Sequence, residues 1–190
     1  TAGEYAPIFF KQAKYTLLDQ NTFWLCEKPD SVGMVGWDAA LTRIATWVKL
    51  QDKKTGQILM VVNTHFDHIG TEARRNSALL IIEKIKEIVG TSPAILTGDF
   101  NVSEDWDAYK TITNNEFILK DAHKVAGKRT GVDFTYHNFG KIPAEKCEKI
   151  DFIFVTPQIR VISSYIPFSQ LNDTLFLSDH NPEIVELEIK

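Results

Sequence analysis

The chain has 190 residues and a formal net charge of −4 at neutral pH, with 44% hydrophobic and 24% charged residues. This balance is typical of a soluble globular protein, and the length fits one domain over residues 1–190. The acidic excess disfavours broad binding to nucleic acid or anionic membranes, and no apolar run is long enough for a transmembrane helix.

Short apolar runs separated by turn residues predict β-strands along most of the chain. The predicted strands are residues 5–11, 22–26, 43–50, 59–63, 94–97, 134–138, 150–155, 160–165 and 184–189. Residues 52–56, between the third and the fourth strand, have the composition of a hairpin loop. In the last strand, Val185, Leu187 and Ile189 alternate with glutamates, as expected for a strand with one buried face.

Two segments have helical periodicity. Residues 71–89 carry an apolar stripe at helical spacing, with Thr71 as the expected N-cap and Gly90 ending the helix. A shorter helix is predicted near residues 105–113. Many strands with few helices favour an α/β fold in which two packed sheets are covered by helices on the outside.

Four polar clusters stand at or beside the ends of the predicted strands. They are Asn63-Thr64-His65-Phe66-Asp67-His68, Gly98-Asp99-Phe100-Asn101, Ile150-Asp151-Phe152 and Ser178-Asp179-His180-Asn181-Pro182. Carboxylates, imidazoles and an amide at strand ends can converge in space although they are distant in sequence. Such a set suits holding a divalent metal, binding a phosphate and activating a water.

Most of these clusters also have a purely structural explanation. Asp99 and Asn101 are the residue types that form Asx turns, and a cluster such as residues 178–180 can be a solvated loop. Asp151 is more informative, because a buried carboxylate inside an apolar strand needs a partner. His180 can supply that partner.

The order of three of these clusters, Gly98-Asp99-Phe100-Asn101, the strand around Asp151 and Ser178-Asp179-His180-Asn181-Pro182, resembles the endonuclease/exonuclease/phosphatase superfamily. The resemblance extends from about Glu4 to the C-terminus. Residues 3–10, together with residues 22–25 and 36–38, are similar to a bacterial branch of that family. The resemblance implies a four-layer α/β/β/α sandwich of two mostly antiparallel sheets.

The resemblance also implies catalytic roles. Asp99 would orient and deprotonate the attacking water, and Asn101 would hydrogen-bond the phosphate. His65 and His180 would contact phosphate oxygens. Asp151 would accept the other N–H of His180, which orients the ring and favours its charged form.

Three further residues are assigned by the same resemblance. Arg43 would place a positive charge near the substrate, and His137 would lie at the substrate-binding rim. Asp179 would be a ligand for a metal ion or a supporting group. A salt bridge to a core carboxylate is the simpler explanation of Arg43.

One part of the family pattern is not found in these residues. Members begin with a strand that carries an Asn, followed by a strand ending in the Glu that is their main metal ligand. We therefore expect the 190 residues to be the C-terminal part of a longer protein, lacking the N-terminal strands. Open strand edges would then favour a dimer, or an N-terminal fragment that completes the sheet.

The expected function is that of a hydrolase, a phosphatase or phosphodiesterase that uses Mg²⁺ or Mn²⁺ and an activated water. Oxygen ligands favour these metals, and Cys26 and Cys147 offer no zinc spacing. Scattered basic residues favour a small-molecule or lipid-headgroup phosphoester over nucleic acid, with a nuclease as the alternative. A non-catalytic binding module that lacks the main Glu is a second alternative. A Ser-His-Asp hydrolase is disfavoured because no Gly-x-Ser-x-Gly motif occurs.

Overall fold

The computed structural model describes residues 4–90, 92–114, 119–172 and 175–190. Its strands are β1 (Tyr15–Trp24), β2 (Ile44–Asp52), β3 (Ile58–His65), β4 (Ala94–Asp99), β5 (Lys120–Asp121), β6 (Lys128–Gly131), β7 (Asp151–Val155), β8 (Ile159–Ile166), β9 (Gln170–Asn172), β10 (Leu175–Phe176) and β11 (Ile184–Ile189). Its helices are α1 (Thr71–Val89), α2 (Asp107–Thr113) and α3 (Ala122–Val125). A short 3-10 turn lies at Ala144–Lys146.

The strands form a large sheet and a smaller one, mostly with antiparallel pairs. The large sheet has the order β1-β2-β3-β4-β7-β5, and only its β3–β4 pair is parallel. The parallel pair requires a crossover connection, which α1 supplies. The smaller sheet has the order β11-β8-β6, and β9 and β10 form a separate hairpin. The predicted α/β fold with two mostly antiparallel sheets is therefore confirmed.

Each face of the large sheet packs against a different layer. On one face, Met60, Leu96 and Phe154 pack with Ile81 of α1 and with neighbouring helical residues. On the other face, alternate residues of the same strands pack with the smaller sheet. Examples of this second core are Leu59, Val61, Ile95, Val161 and Leu187. Alternation along each strand thus builds two cores and a helix–sheet–sheet arrangement.

The smaller sheet has one buried face and one face that is open to solvent. Ile162 and Tyr165 of β8 are 37% and 44% exposed, and Ile184 of β11 is 52% exposed. In the part of the chain that the structure describes, no helix covers these exposed side chains.

The start of α1 is capped by a residue from a distant loop. The helix begins at Thr71, as predicted, but the prediction that Thr71 caps it was wrong. The Asp38 carboxylate accepts hydrogen bonds from the main-chain N–H groups of Ala73 at 2.6 Å and Glu72 at 3.2 Å. Gly70 permits this approach, since a Cβ there would lie 2.6 Å from Asp38 Oδ1. Among the described residues, no helix combines the length and apolar character that crossing a bilayer requires.

Two predicted strands are loops in the structure, and another predicted strand is longer than expected. Residues 5–11 form no strand, and β1 begins at Tyr15 instead of at residue 22. Residues 134–138 form a loop that makes single bridges from Tyr136 to Glu148 and to His180. Apolar and aromatic composition predicts strand propensity, but the pairing partner decides whether a strand forms.

Gly98 permits the close approach of β3 and β4 beside the predicted catalytic residues. A Cβ at this position would lie 2.3 Å from the main-chain oxygen of Thr64, its partner in the parallel pair. We expect Gly98→Ala to lower the free energy of unfolding by about 1–3 kcal/mol, because the two strands must separate to relieve the overlap. Urea denaturation followed by tryptophan fluorescence measures this loss.

Gly127→Ala is the matched control for this substitution. There an added Cβ would meet one atom, the main-chain oxygen of Ile162 at 3.1 Å, so we expect a smaller loss of stability. Equal unfolding midpoints for Gly98→Ala and the unmodified protein would contradict the steric argument.

Candidate active site

The ends of three neighbouring strands place three predicted catalytic side chains in one row. His65 ends β3, Asp99 ends β4, and Asp151 begins the antiparallel strand β7. In the strand registers His65 lies opposite Asp99, and Asp99 lies opposite Asp151. Lateral partners in a sheet point to the same face and are about 5 Å apart. The register therefore sets the spacing of the three side chains.

His180 completes the row from the loop before β11. Its Nδ1 lies 2.7 Å from Asp151 Oδ2, and its Nε2 lies 3.9 Å from Asp99 Oδ2. Burial opposes protonation of His180, but the hydrogen bond to Asp151 and the charge of that carboxylate outweigh it and raise its pKa. The pair therefore favours an imidazolium beside Asp99, as the sequence predicted.

The pKa of Asp99 lies well above the usual value of an aspartate. Its side chain is 17% exposed, and burial together with the negative charge of Asp151 raises its pKa to about 6. The main-chain N–H of Asn101 donates to Asp99 Oδ1 at 2.9 Å and opposes the shift. A carboxyl group that titrates near the working pH suits a general base.

His65 lies between two carboxyl groups. Its Nδ1 is 3.1 Å from Glu4 Oε2, and its Nε2 is 3.3 Å from Asp99 Oδ2. Burial, with the charge of Arg43, lowers the pKa of His65. A neutral His65 that donates its Nδ1–H to Glu4 leaves Nε2 as an acceptor for a protonated Asp99. This arrangement agrees with the raised pKa of Asp99.

Asn101 connects the ends of β3 and β4. Its side-chain Nδ2 donates to the main-chain oxygen of Phe66 at 3.0 Å, and its φ of 50° lies in the left-handed region that Asn tolerates. The turn considered for this cluster is present, because Asn101 N–H donates to Asp99 Oδ1, and the turn positions the amide beside the row. The predicted contact of Asn101 with a phosphate stays a prediction.

Arg43 places a buried positive charge behind the row. Its side chain is 4% exposed, forms an ion pair with Glu4 through Nη1, and places Nε 3.6 Å from Asp67 Oδ1. Burial would raise the pKa of Asp67, but main-chain N–H donors, with Gly70 first, lower it to about 2. The salt bridge considered for Arg43 is thus present. Its predicted contact with substrate stays a prediction.

The structure places His137 away from the cleft, which corrects its interpretation as a residue of the substrate-binding rim. His137 is 1% exposed, and its ring centroid lies 5.0 Å from that of Phe176 and 5.7 Å from that of Phe168. Its neighbour Tyr136 lies beside the site instead, with ring centroids 4.9 Å from His180. The sequence predicts a regular strand for residues 134–138. The observed loop instead places Tyr136 against His180.

Two other groups beside the row were not predicted. One is Glu4, through its contact with His65. The second is the buried pair Lys149–Glu183, in which Lys149 Nζ lies 2.8 Å from Glu183 Oε2 and donates to the main-chain oxygen of Asp151 at 2.7 Å. This pair connects β7 to the segment that follows His180. A lysine beside an apolar strand has no sequence signal that distinguishes it from a surface charge.

The donor atoms are of the types that bind a divalent metal, but only a few of them lie close together in the described residues. Oxygen or nitrogen atoms of Asp99, Asp151 and His180 lie within 4.8 Å of one another and could hold an ion. Carboxylate oxygens suit Mg²⁺ or Mn²⁺, and a cation would relieve the repulsion that raises the pKa of Asp99. Asp179 is not part of this group, and its main-chain oxygen accepts from His137 N at 3.0 Å. Its assignment as a metal ligand stays a prediction.

Comparison with known proteins yields one family and several close structures. A model of the Endonuclease/Exonuclease/phosphatase family matches residues 9–180 of the chain. An endonuclease/exonuclease/phosphatase from Bacteroides vulgatus is 64% identical, with a TM-score of 0.96, over 100% of this chain and 72% of that protein. A mannosyl-6-phosphatase from Bacteroides thetaiotaomicron is 34% identical, with a TM-score of 0.86, over 95% of this chain and 69% of that protein.

A curated relative is more distant. An uncharacterised protein of Acanthamoeba polyphaga mimivirus is 30% identical over 175 residues, which make up 87% of this chain. The chain spans 63% of the length of that relative.

The raised pKa of Asp99 can be measured directly. In the metal-free protein we expect the Asp99 carboxyl to titrate at about 6 by ¹³C NMR. Asp151→Asn should lower this pKa, because the substitution removes an adjacent negative charge that disfavours ionisation of Asp99. Addition of Mg²⁺ should lower it as well, since a cation favours the carboxylate.

Asp105→Asn serves as the control, because Asp105 is an exposed carboxylate of the loop before α2. It should leave the pKa of Asp99 unchanged. An Asp99 pKa near the usual aspartate value of about 4 in the metal-free protein would refute the electrostatic account of this site.

Proposed function

The chain belongs to the Endonuclease/Exonuclease/phosphatase family, and we propose that it is a metal-dependent phosphoesterase in which an activated water attacks phosphorus. One observation carries the proposal, the row of His65, Asp99, Asp151 and His180 at one edge of the large sheet. The row combines a carboxyl group poised to accept a proton with an imidazole that favours its charged form. These are the two states that hydrolysis of a phosphoester requires.

Each residue of the row has a distinct role in this reaction. Asp99 accepts the proton of the attacking water, because its pKa of about 6 leaves it largely ionised at neutral pH. His180 donates a charged hydrogen bond to a phosphate oxygen, and Asp151 holds its ring in place. The uncharged His65 donates to another phosphate oxygen from the tautomer that carries its proton on Nε2. Asn101 supplies an amide from the loop after β4.

Asp99 and Asp151 would hold a Mg²⁺ or Mn²⁺ ion, which supplies positive charge against the phosphate oxygens when bound. The two carboxylates also hold the rings of His65 and His180 in position. Asp151 fixes His180, while Asp99 faces His65 and His180 through the same oxygen, Oδ2. The proton transfer and the binding of the phosphate are therefore coupled through one pair of carboxylates.

A small-molecule or lipid-headgroup phosphoester is the preferred substrate class. The net charge of −4 and the negative charge of Glu4, Asp99 and Asp151 around the cleft disfavour a long polyanion. The relative described as a mannosyl-6-phosphatase, at 34% identity, favours a phosphomonoester. These observations rank a nuclease second.

A non-catalytic binding module is the remaining alternative. The hydrogen bond between Asp151 and His180, at 2.7 Å, and the raised pKa of Asp99 argue against it. Burying carboxylates close together is costly, and a binding surface does not need it.

Substitution of the row tests the proposed function. We expect Asp99→Asn and His180→Ala each to reduce kcat by about a hundredfold or more, because each removes a proton acceptor or a charged donor. Asp151→Asn should reduce kcat by a smaller factor, because it removes the carboxylate that orients His180 but leaves the reacting groups in place. Initial rates with 4-nitrophenyl phosphate and a panel of phosphoesters measure these effects.

Asp105→Asn again provides a matched control that should retain full activity. Wild-type rates for Asp99→Asn would contradict the role of Asp99 in water activation. Activity that is confined to oligonucleotides would instead favour the nuclease.

Metal affinity is a second test of the site. Three donor groups, two of which are hydrogen-bonded to each other, are few compared with the six ligands that Mg²⁺ takes. We expect calorimetric titration of the 190-residue chain to give dissociation constants on the order of millimolar for Mg²⁺ and Mn²⁺. The double substitution Asp99→Asn/Asp151→Asn should abolish the binding heat. Tight stoichiometric binding would show that the ligands lie elsewhere.

A further inference from the structure

A cleft with a volume of about 560 Å³ opens beside the catalytic row, and we call it the side cleft. It lies between residues 4–7 and the adjoining ends of β1 and β2. Its lining includes Glu4, Tyr5, Trp24, Val32, Ile44 and Thr46. The volume is within the range of about 300–1,000 Å³ that is common for small-ligand sites.

The side cleft is a neighbour of the active site and shares lining residues with it. Tyr5 and Ala6 line it, and both also line the cleft that contains His65, Asp99 and Asp151. Glu4 forms part of its wall, and the Glu4 carboxylate lies 3.1 Å from His65 Nδ1. A group attached to a phosphate in the catalytic row is therefore adjacent to the opening of the side cleft.

The charge of the lining excludes some occupants. Among the described residues that line the side cleft, none is Lys or Arg, and the charged side chain is the carboxylate of Glu4. The Glu4 charge is already paired with Arg43, so a second phosphate or a nucleic-acid backbone would find no free cation in this lining. An uncharged group fits this lining.

The remaining lining combines apolar surfaces with hydroxyl groups. Trp24, Ile44 and Val32 offer apolar area, and Val32 is 71% exposed. Thr22 Oγ1 and Thr46 Oγ1 lie 3.2 Å apart, so this contact uses one of their two O–H donors and leaves the other for a ligand. Sugars present both C–H faces and hydroxyl groups, which match an aromatic ring beside hydroxyls and a carboxylate.

We propose that the side cleft binds the sugar part of a sugar phosphomonoester while the phosphate occupies the catalytic row. This inference rests on the proposed phosphoesterase function and adds the chemical class of the alcohol. Trp24 contacts the C–H face of the sugar. The Thr46 hydroxyl donates to or accepts from its hydroxyls, and the Glu4 carboxylate accepts hydrogen bonds from them.

Two substrates with the same phosphoryl chemistry test the inference, a hexose 6-phosphate and 4-nitrophenyl phosphate. Thr46→Val removes the hydroxyl at nearly constant volume and should raise KM for the hexose phosphate by about three- to tenfold. Trp24→Leu should raise it by at least as much. Thr46→Val should leave kcat/KM for 4-nitrophenyl phosphate within about twofold of wild type, because the nitrophenyl group has no hydroxyl for Thr46 to bind. Thr16→Val, an exposed position of β1 outside the side cleft, is the control and should change neither substrate.

A binding measurement on the metal-free protein separates the side cleft from turnover. The indole N–H resonance of Trp24, assigned by its loss in Trp24→Leu, should shift on titration with hexose 6-phosphate and not with inorganic phosphate. Equal effects of Thr46→Val on both substrates, or an indole resonance that hexose phosphate does not move, would overturn the inference. Absence of hydrolysis of both substrates by the wild type would contradict the phosphoesterase function. The NMR titration would still show whether the side cleft binds a hexose phosphate.

Discussion

The hydrogen bond between Asp151 and His180 is the contact on which the candidate site depends. It joins the large sheet, through β7, to the loop that leads into β11 of the smaller sheet. The ion pair of Lys149 with Glu183 fastens the same two segments next to it, and Lys149 also holds the main-chain oxygen of Asp151. Loss of one partner of such a buried pair leaves an uncompensated charge, so the two segments are strongly held in one arrangement. The contacts that hold the two sheets together therefore also position the side chains of the candidate site.

Local patterns predicted the elements whose boundaries depend on nearby residues. The bounds of α1 and β11 agree with the prediction, because helical periodicity ending at Gly90 and strict alternation in residues 184–189 are complete within their own segments. The polar clusters at strand ends were recognised in the same way. That His65, Asp99 and Asp151 are lateral partners could not be derived from those patterns, because register depends on the neighbouring strand. The family resemblance predicted that these residues share one site, and the structure supplies the register that places them side by side.

The wrong predictions share one cause, which is dependence on distant parts of the chain. Residues 134–138 have strand composition, yet their main chain bridges to Glu148 and His180 as a loop, so Tyr136 and not His137 lies beside the site. The cap of α1 comes from Asp38, far from the helix in sequence. Glu4, which directly precedes the predicted strand at residues 5–11, contacts His65. None of these contacts leaves a periodic signal in the sequence.

The contacts of the site also join residues that are widely separated along the chain. Asp151 and His180 are 29 positions apart, and Asn101 contacts Phe66 across 35 positions. Contacts with such long loops form late in folding, because the entropy of loop closure must be overcome first. Until His180 is in place, Asp99 and Asp151 face each other as neighbouring carboxylates without an imidazolium. During synthesis from the N-terminus, His180 therefore joins Asp99 and Asp151 only after the strands of both carboxylates have emerged, so the full set of side chains is assembled only when the fold is nearly complete.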